Sequence, residues 1–242
     1  MLGVTRDGDV ITIEMQREER RNALSEELVG LLREAMLDAV AQGARVIVLT
    51  GRGPIFSAGA DLSGVYSESF LGGLLDMLHT IESLPVPVIS AINGGALGAG
   101  VQLAIASDLR VIEPDAFIAV PAAKLGISVD RWTVSRLVSL IGGGPARTIL
   151  LAADPVSAAD AYTFGFANKL GTLADAQDWA KSIAALAPLS LQAMKLLLND
   201  DGTRDPASAQ QRAALEAAWT SDDAKEGRLA RQEKRPAKFV GR

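Results

Sequence analysis

Two glycine-rich turns constrain this chain more than any other feature: F-S-A-G-A-D-L at Phe56 to Leu62 and N-G-G-A-L-G-A-G-V-Q-L-A at Asn93 to Ala104. Each is followed by a segment that can start a helix. Turns of this kind leave backbone N–H groups free and let a ligand oxygen approach the main chain closely. The second turn is not a dinucleotide fingerprint, because its glycines run G-x-x-G-x-G rather than G-x-G-x-x-G. A G-K-[ST] phosphate loop occurs nowhere in the sequence.

Around the turns, periodicity places the elements. Val10 to Glu14 alternates as a strand does, and Arg45 to Thr50 reads as a buried strand. Between them Leu28, Leu31, Leu32, Ala35 and Met36 recur at helical spacing, with Ser25 as the N-cap and Glu26 and Glu27 in the first turn. A second unit repeats the order: strand at Val88 to Ile92, helix from about Leu97 to Ala106, strand at Leu109 to Ile112. A third has a strand at Phe117 to Val120 and a helix from about Trp132 to Ile141. This succession predicts an α/β core. From Ala146 onward, alanine- and leucine-rich segments favour helix: Ala146 to Ala153, Ala158 to Phe164, Ala174 to Leu186, Leu189 to Leu198 and Pro206 to Arg231.

Composition removes several classes of function. The 242 residues contain no cysteine, so disulfides, thiol catalysis and thiolate metal sites are absent. A single histidine, His79, leaves metal binding and a Ser-His-Asp triad without support, and it reads as a packing or surface residue. A net charge of -5 argues against a general nucleic-acid surface. Charged residues interrupt the N-terminus before an apolar signal core forms, and no apolar run approaches the ~20 residues of a membrane helix. A cytoplasmic protein is expected.

The strings R-R-N-A-L (Arg20 to Leu24), F-S-A-G-A-D-L, G-A-L-G-A-G-V-Q-L and the tail E-K-R-P-A-K-F (Glu233 to Phe239) together resemble the crotonase superfamily, the enoyl-CoA hydratase and isomerase proteins. The resemblance covers nearly the whole chain. It implies a spiral of β-β-α turns over residues 1–188 carrying an acyl-CoA site, and a helical region over 189–242 that assembles trimers, often paired into hexamers. It implies no metal and no cofactor; a CoA thioester is the ligand or substrate. The N–H groups of Ala60 and Ala99 would hold the thioester carbonyl. Ala99 stands where many relatives have glycine, and alanine keeps the N–H. Each such donor contributes ~3–4 kcal/mol when charge builds on the oxygen. Ala23 and the backbone from Ala58 through Asp61 to Leu62 would hold the CoA moiety near its adenine end. Arg21 would sit by the phosphates, which suits a permanently charged guanidinium. Phe239 and Lys238 would close over the adenine and phosphates, in their own or a neighbouring subunit.

The same resemblance marks a loss. Where hydratases of the family carry two catalytic glutamates, this chain has Gln102 and Ala122. An amide orients water without a usable pKa, and a methyl group does nothing. Two missing acid–base groups remove roughly 5–11 kcal/mol of barrier lowering. Asp130 stands where some isomerases of the superfamily place a single catalytic aspartate; as a residue type it equally reads as the N-cap of the helix near Trp132. Trp132 is a candidate wall of the acyl pocket, whereas Trp179 and Trp219 read as core or interface residues. Two functional classes remain. One is a non-catalytic fatty acyl-CoA binder or carrier with a protein partner in lipid biosynthesis. The other is an enzyme, either an isomerase using Asp130 or a weak hydratase using water held by Gln102.

Overall fold

The period-two runs become strands and the period-3.6 runs helices. The computed structural model describes residues 1–61 and 67–241. In chain order it contains β1 (Leu2–Asp7), β2 (Val10–Met15), α1 (Glu26–Ala41), β3 (Val46–Gly51), β4 (Ile55–Ser57), α2 (Glu68–Ser83), β5 (Val88–Ile92), β6 (Gly95–Leu97), α3 (Ala99–Ala106), β7 (Leu109–Ile112) and β8 (Phe117–Ala119). There follow α4 (Arg131–Ile141), α5 (Gly143–Arg147), β9 (Val156–Ser157), α6 (Ala158–Thr163), β10 (Lys169–Leu170), α7 (Leu173–Ala184), α8 (Pro188–Leu198), α9 (Ala209–Thr220) and α10 (Asp222–Gln232). The chain divides into two compact units, Met1–Ile118 with Val156–Asp201, and Ala119–Pro155 with Gly202–Arg242. This cut differs from a boundary at residue 188: α8 belongs with the sheet, and 119–155 belongs with the last helices.

In the first unit, the described strands form a sheet ordered β1-β2-β3-β5-β7-β10 and a smaller one ordered β4-β6-β8-β9. The β1-β2 pair is antiparallel, while β2-β3, β3-β5, β5-β7 and β7-β10 are parallel. Strand alternation divides the apolar residues between two faces. Val10, Val46, Val48, Ile89, Ala91 and Val111 pack against Ala176, Ala180, Ile183 and Ala184 of α7. The intervening Ile11, Ile13, Met15, Ile47 and Leu49 are equally buried and turn to the opposite face. Near-continuous apolar strands are what a parallel sheet buried on both faces requires.

The helix starts follow from local chemistry. Ser25 accepts the Leu28 N–H as expected, Ser67 caps α2, and Thr172 with Asp175 forms a capping box on α7. Pro188 opens α8, where a missing N–H costs nothing. Lys195 on α8 is buried, donating to the carbonyls of Ile81 and Val86 and pairing with Asp108 at 2.7 Å. With that side chain turned inward, Leu189, Leu196, Leu197 and Leu198 are left 73–78% exposed. No single helix among the described residues is long and apolar enough to cross a membrane.

The second unit holds α4, α5, α9 and α10. Gly227 lets α10 come down on the turn before α4: a Cβ there would lie 2.1 Å from the Leu125 carbonyl oxygen. The Trp219 indole N–H donates to the Ser128 carbonyl at 3.0 Å. Three expectations need correction. The helix expected from Leu97 starts at Ala99, because Leu97 belongs to β6 and Gly98 turns the chain at φ 50°, ψ -114°. The single helix expected over Pro206 to Arg231 is two, since Ser221 leaves helical geometry and its hydroxyl caps α10 by accepting from Ala224 N–H. Ala146 to Ala153 is the end of α5 followed by a π-helical turn, Thr148–Ala152, closed by left-handed Ala153.

Candidate functional site

The glycine-rich turns meet because the strands leading into them pair. β4 runs parallel to β6, with Ile55 opposite Gly95 and Ser57 opposite Ala96. Gly59 sits so close to the second turn that a Cβ would lie 2.5 Å from the Leu97 oxygen and 3.2 Å from the Ala99 nitrogen, with φ at +87°. Only glycine fits there.

Backbone hydrogen bonds then decide which N–H groups are consumed. Ala58 N–H donates to the Arg21 carbonyl, Leu24 N–H to Gly59, and Asp61 N–H to Leu24, all at 2.8–2.9 Å. Gly59 N–H donates to the Ser57 hydroxyl, which itself donates to the Asn22 carbonyl. Among the described residues, Ala60 N–H is left without a protein acceptor. Ala99 is the first residue of α3, whose N-cap Gly98 offers no side-chain acceptor, so among the described residues its N–H likewise has no protein acceptor. The two donors singled out in the sequence therefore lie in adjoining turns, each without a protein acceptor among the described residues. Two such N–H groups can share one carbonyl or oxyanion oxygen.

Other residues of the first unit vary in how they fit their expected roles. Arg21 is exposed, in left-handed geometry at φ 53°. Ala23 is half-buried, its carbonyl taken by Arg17. Asp61, whose backbone is expected to lie along the ligand, pairs its carboxylate with Arg17 at 2.8 Å. Leu62 lies outside the described residues. Gln102 is half-buried on the first turns of α3. His79 lies half-buried on α2, and Trp179, on α7, is partly buried against the sheet core, with the Lys169 ammonium 4.2 Å from its ring centre.

In the second unit, Ala122 precedes a 3-10 turn, Ala123–Leu125, and its carbonyl accepts from Leu125 and Ile127. Asp130 caps α4: one carboxylate oxygen accepts Thr133 N–H at 2.9 Å and the other the Thr133 hydroxyl at 2.7 Å. The neighbouring Arg131 points elsewhere, onto the carbonyls of Gly202, Thr203 and Asp205. Trp132 is buried. Lys238 and Phe239 are exposed on a tail strapped to α10. Glu226 accepts both guanidinium nitrogens of Arg235 and the Lys238 N–H, and Asp223 accepts the N–H groups of Val240 and Gly241. The Arg235 hydrogen bond, helped by the Lys238 N–H, holds the Glu226 carboxyl down to about 2.

Sequence reading missed Arg17, Asn22 and Ser57. Asn22 did carry a signal, since asparagine is among the few residues that accept left-handed geometry, and it takes φ 53° here. Arg17 carried none, because its partner is brought to it only by the fold.

A mainly parallel sheet under helices, with two open main-chain donors in adjoining turns, defines a crotonase-type α/β protein. Comparison with known proteins agrees. The enoyl-CoA hydratase/isomerase family model matches residues 5–242. A Mycobacterium leprae protein named "Probable enoyl-CoA hydratase echA6" is 47% identical over 100% of both chains, and its Mycobacterium tuberculosis namesake is 48% identical over 100% of both. Carnitinyl-CoA hydratase from Mycobacterium avium superposes with a TM-score of 0.86 at 29% identity, covering 100% of this chain and 98% of that one. A methylmalonyl-CoA decarboxylase complexed with 2-nitronate-propionyl-CoA superposes at 0.92, covering 100% and 98%; at 24% identity this bears on the fold alone. The chain belongs to the enoyl-CoA hydratase/isomerase family.

Proposed function

We propose that this protein binds fatty acyl-CoA thioesters through the Ala60 and Ala99 N–H groups and lacks hydratase activity, acting as an acyl-CoA binder or carrier in fatty-acid and lipid metabolism. The observation that carries the reading is the pair of open donors in adjoining turns. A structural module has no use for them, whereas a thioester carbonyl is an acceptor such paired donors suit. Carnitinyl-CoA hydratase, among the similar proteins, supports a CoA thioester as the ligand class. In the same reading, Arg21 attracts the CoA phosphates, Ala23 and the backbone of Ala58, Asp61 and Leu62 lie along the CoA moiety, and Lys238 and Phe239 close over it in their own or a neighbouring subunit. Trp132 shapes the acyl end, the location is cytoplasmic, and a lipid-biosynthesis protein receives the cargo. The exposed leucines of α8 support assembly into trimers or hexamers.

Gln102 and Ala122, standing at the glutamate positions inferred from the family resemblance, support the absence of hydration. The engagement of both Asp130 carboxylate oxygens by Thr133 favours a capping aspartate over an isomerase base. Calorimetric titration with saturated and unsaturated acyl-CoAs and with free CoA, followed by mass spectrometry, tests the reading. Thioesters are expected to bind more tightly than CoA and to be recovered unchanged. Equal affinity for fatty acyl-CoA and CoA overturns the binding role. Crotonyl-CoA hydration near the ~10 s⁻¹ of ordinary enzymes overturns the non-catalytic one.

A further inference from the structure

An oxyanion donor is only as good as the peptide plane that carries it. The Ala60 N–H shares its plane with the Gly59 carbonyl, which accepts from Leu24 N–H at 2.8 Å. A planar trans peptide then sends the Ala60 N–H away from Leu24. Main-chain hydrogen bonds set the register of the Leu24 segment and the turn, and Arg17 adds a side-chain tie across the same seam. One guanidinium nitrogen, Nη1, donates to the Ala23 carbonyl on the Leu24 side and meets Asp61 Oδ2 on the turn side, each at 2.8 Å. The Arg17 backbone is tied down as well: its N–H donates to Asn22 Oδ1, and its carbonyl accepts from Arg20 and Asn22. The pair is well shielded, with side chains 17% and 18% exposed, so solvent competes with it weakly.

We propose that Arg17, acting through Asp61, is a positioning residue for the first oxyanion donor, and that it determines how strongly the thioester carbonyl is held while contributing little to the grip on the rest of the ligand. The inference rests on the acyl-CoA reading above. It predicts a loss of carbonyl recognition in particular, which a merely structural role for Arg17 does not.

The experiment compares a saturated acyl-CoA with the S-alkyl-CoA thioether of the same chain length, which lacks the carbonyl, on wild type, Arg17→Gln, Arg17→Lys and Asp61→Asn. The infrared band of a ¹³C-labelled thioester carbonyl is recorded in each complex. Wild type is expected to prefer the thioester and to shift its carbonyl band. Arg17→Gln is expected to erase about three- to tenfold of that preference, the range of one net hydrogen bond, and to return the band toward its position in water. Thioether affinity should stay within about twofold, a small change on the same scale. Arg17→Lys should retain part of the preference, and Asp61→Asn, nearly isosteric, provides the test should Arg17→Gln fold poorly. An equal loss for thioester and thioether, or a carbonyl band unmoved by Arg17→Gln and Asp61→Asn, overturns the inference alone. A wild type that prefers neither acyl compound to free CoA overturns the acyl-CoA reading and this inference together.

Discussion

Asn22→Ala is expected to be the most damaging conservative substitution beside the site. Asn22 is fully buried, and its side chain makes three hydrogen bonds: Oδ1 accepts Arg17 N–H at 3.0 Å, and Nδ2 donates to Arg52 and Ile55 carbonyls at 2.9 and 2.8 Å. Arg52 is exposed, so water replaces the amide on its carbonyl. The Arg17 N–H and the Ile55 carbonyl belong to half-buried residues, and leaving each unpaired costs ~1–3 kcal/mol. Alanine at φ 53° adds ~1 kcal/mol, a penalty asparagine partly escapes. The sum is about 3–7 kcal/mol, against a typical domain stability of ~5–15 kcal/mol. Asn22→Gly separates the parts: it loses the same hydrogen bonds without the Cβ clash, and should be ~1 kcal/mol less damaging than alanine. Urea unfolding at one fixed protein concentration measures both variants, since assembly makes midpoints concentration-dependent. Because the Asn22 carbonyl also anchors Ser57, and Ser57 the Gly59 N–H, acyl-CoA affinity should fall with stability. An Asn22→Ala protein within ~1 kcal/mol of wild type would refute the hydrogen-bond accounting.

Four further outcomes are expected. Gln102→Glu combined with Ala122→Glu should raise crotonyl-CoA hydration at least ~100-fold over the parent; no gain despite retained acyl-CoA binding sinks the assignment of those positions. Asp130→Asn should change stability by no more than ~0.5 kcal/mol, because asparagine caps as well as aspartate, and neither protein should convert 3-enoyl-CoA to 2-enoyl-CoA. Conversion by wild type that disappears in the variant would establish the isomerase instead. Leu196→Asp with Leu197→Asp should dissociate the assembly in analytical ultracentrifugation, and a monomeric wild type excludes the proposed trimer. The Glu226 carboxyl is held below its ordinary 4.5, to about 2, so its contribution to stability is complete above pH 4.5 and lost as the pH falls through 2. The stability difference between wild type and Glu226→Gln should therefore be constant above pH 4.5 and shrink toward pH 2; a difference independent of pH over that range contradicts the Arg235 latch.

Much of the fold was legible because its signals are local. Val10 to Glu14 and Arg45 to Thr50 announce strands by their own side chains, and Ser25 and Asp130 cap helices through amides three residues away. The strands β4 and β6 were not legible. Three-residue segments inside glycine-rich turns have no periodicity of their own and exist as strands only through pairing with each other. The start of α3 at Ala99 was hidden likewise, because the dihedral angles of Gly98 are imposed by the turn it completes.

The candidate site divides along the same line. Sequence by itself determined which peptide groups sit in flexible, Cβ-poor turns, and that Gln102 and Ala122 carry no carboxylate. It did not determine that, among the described residues, the Ala60 N–H has no acceptor while those of Ala58 and Asp61 are spent, since hydrogen-bond accounting depends on which distant carbonyls arrive. Nor could it make the Asp61 carboxylate the partner of Arg17. That pairing is decided only when β4 and its turn settle beside the Arg17–Leu24 segment, where long-range chain geometry brings a guanidinium to a carboxylate with which it shares no local sequence pattern.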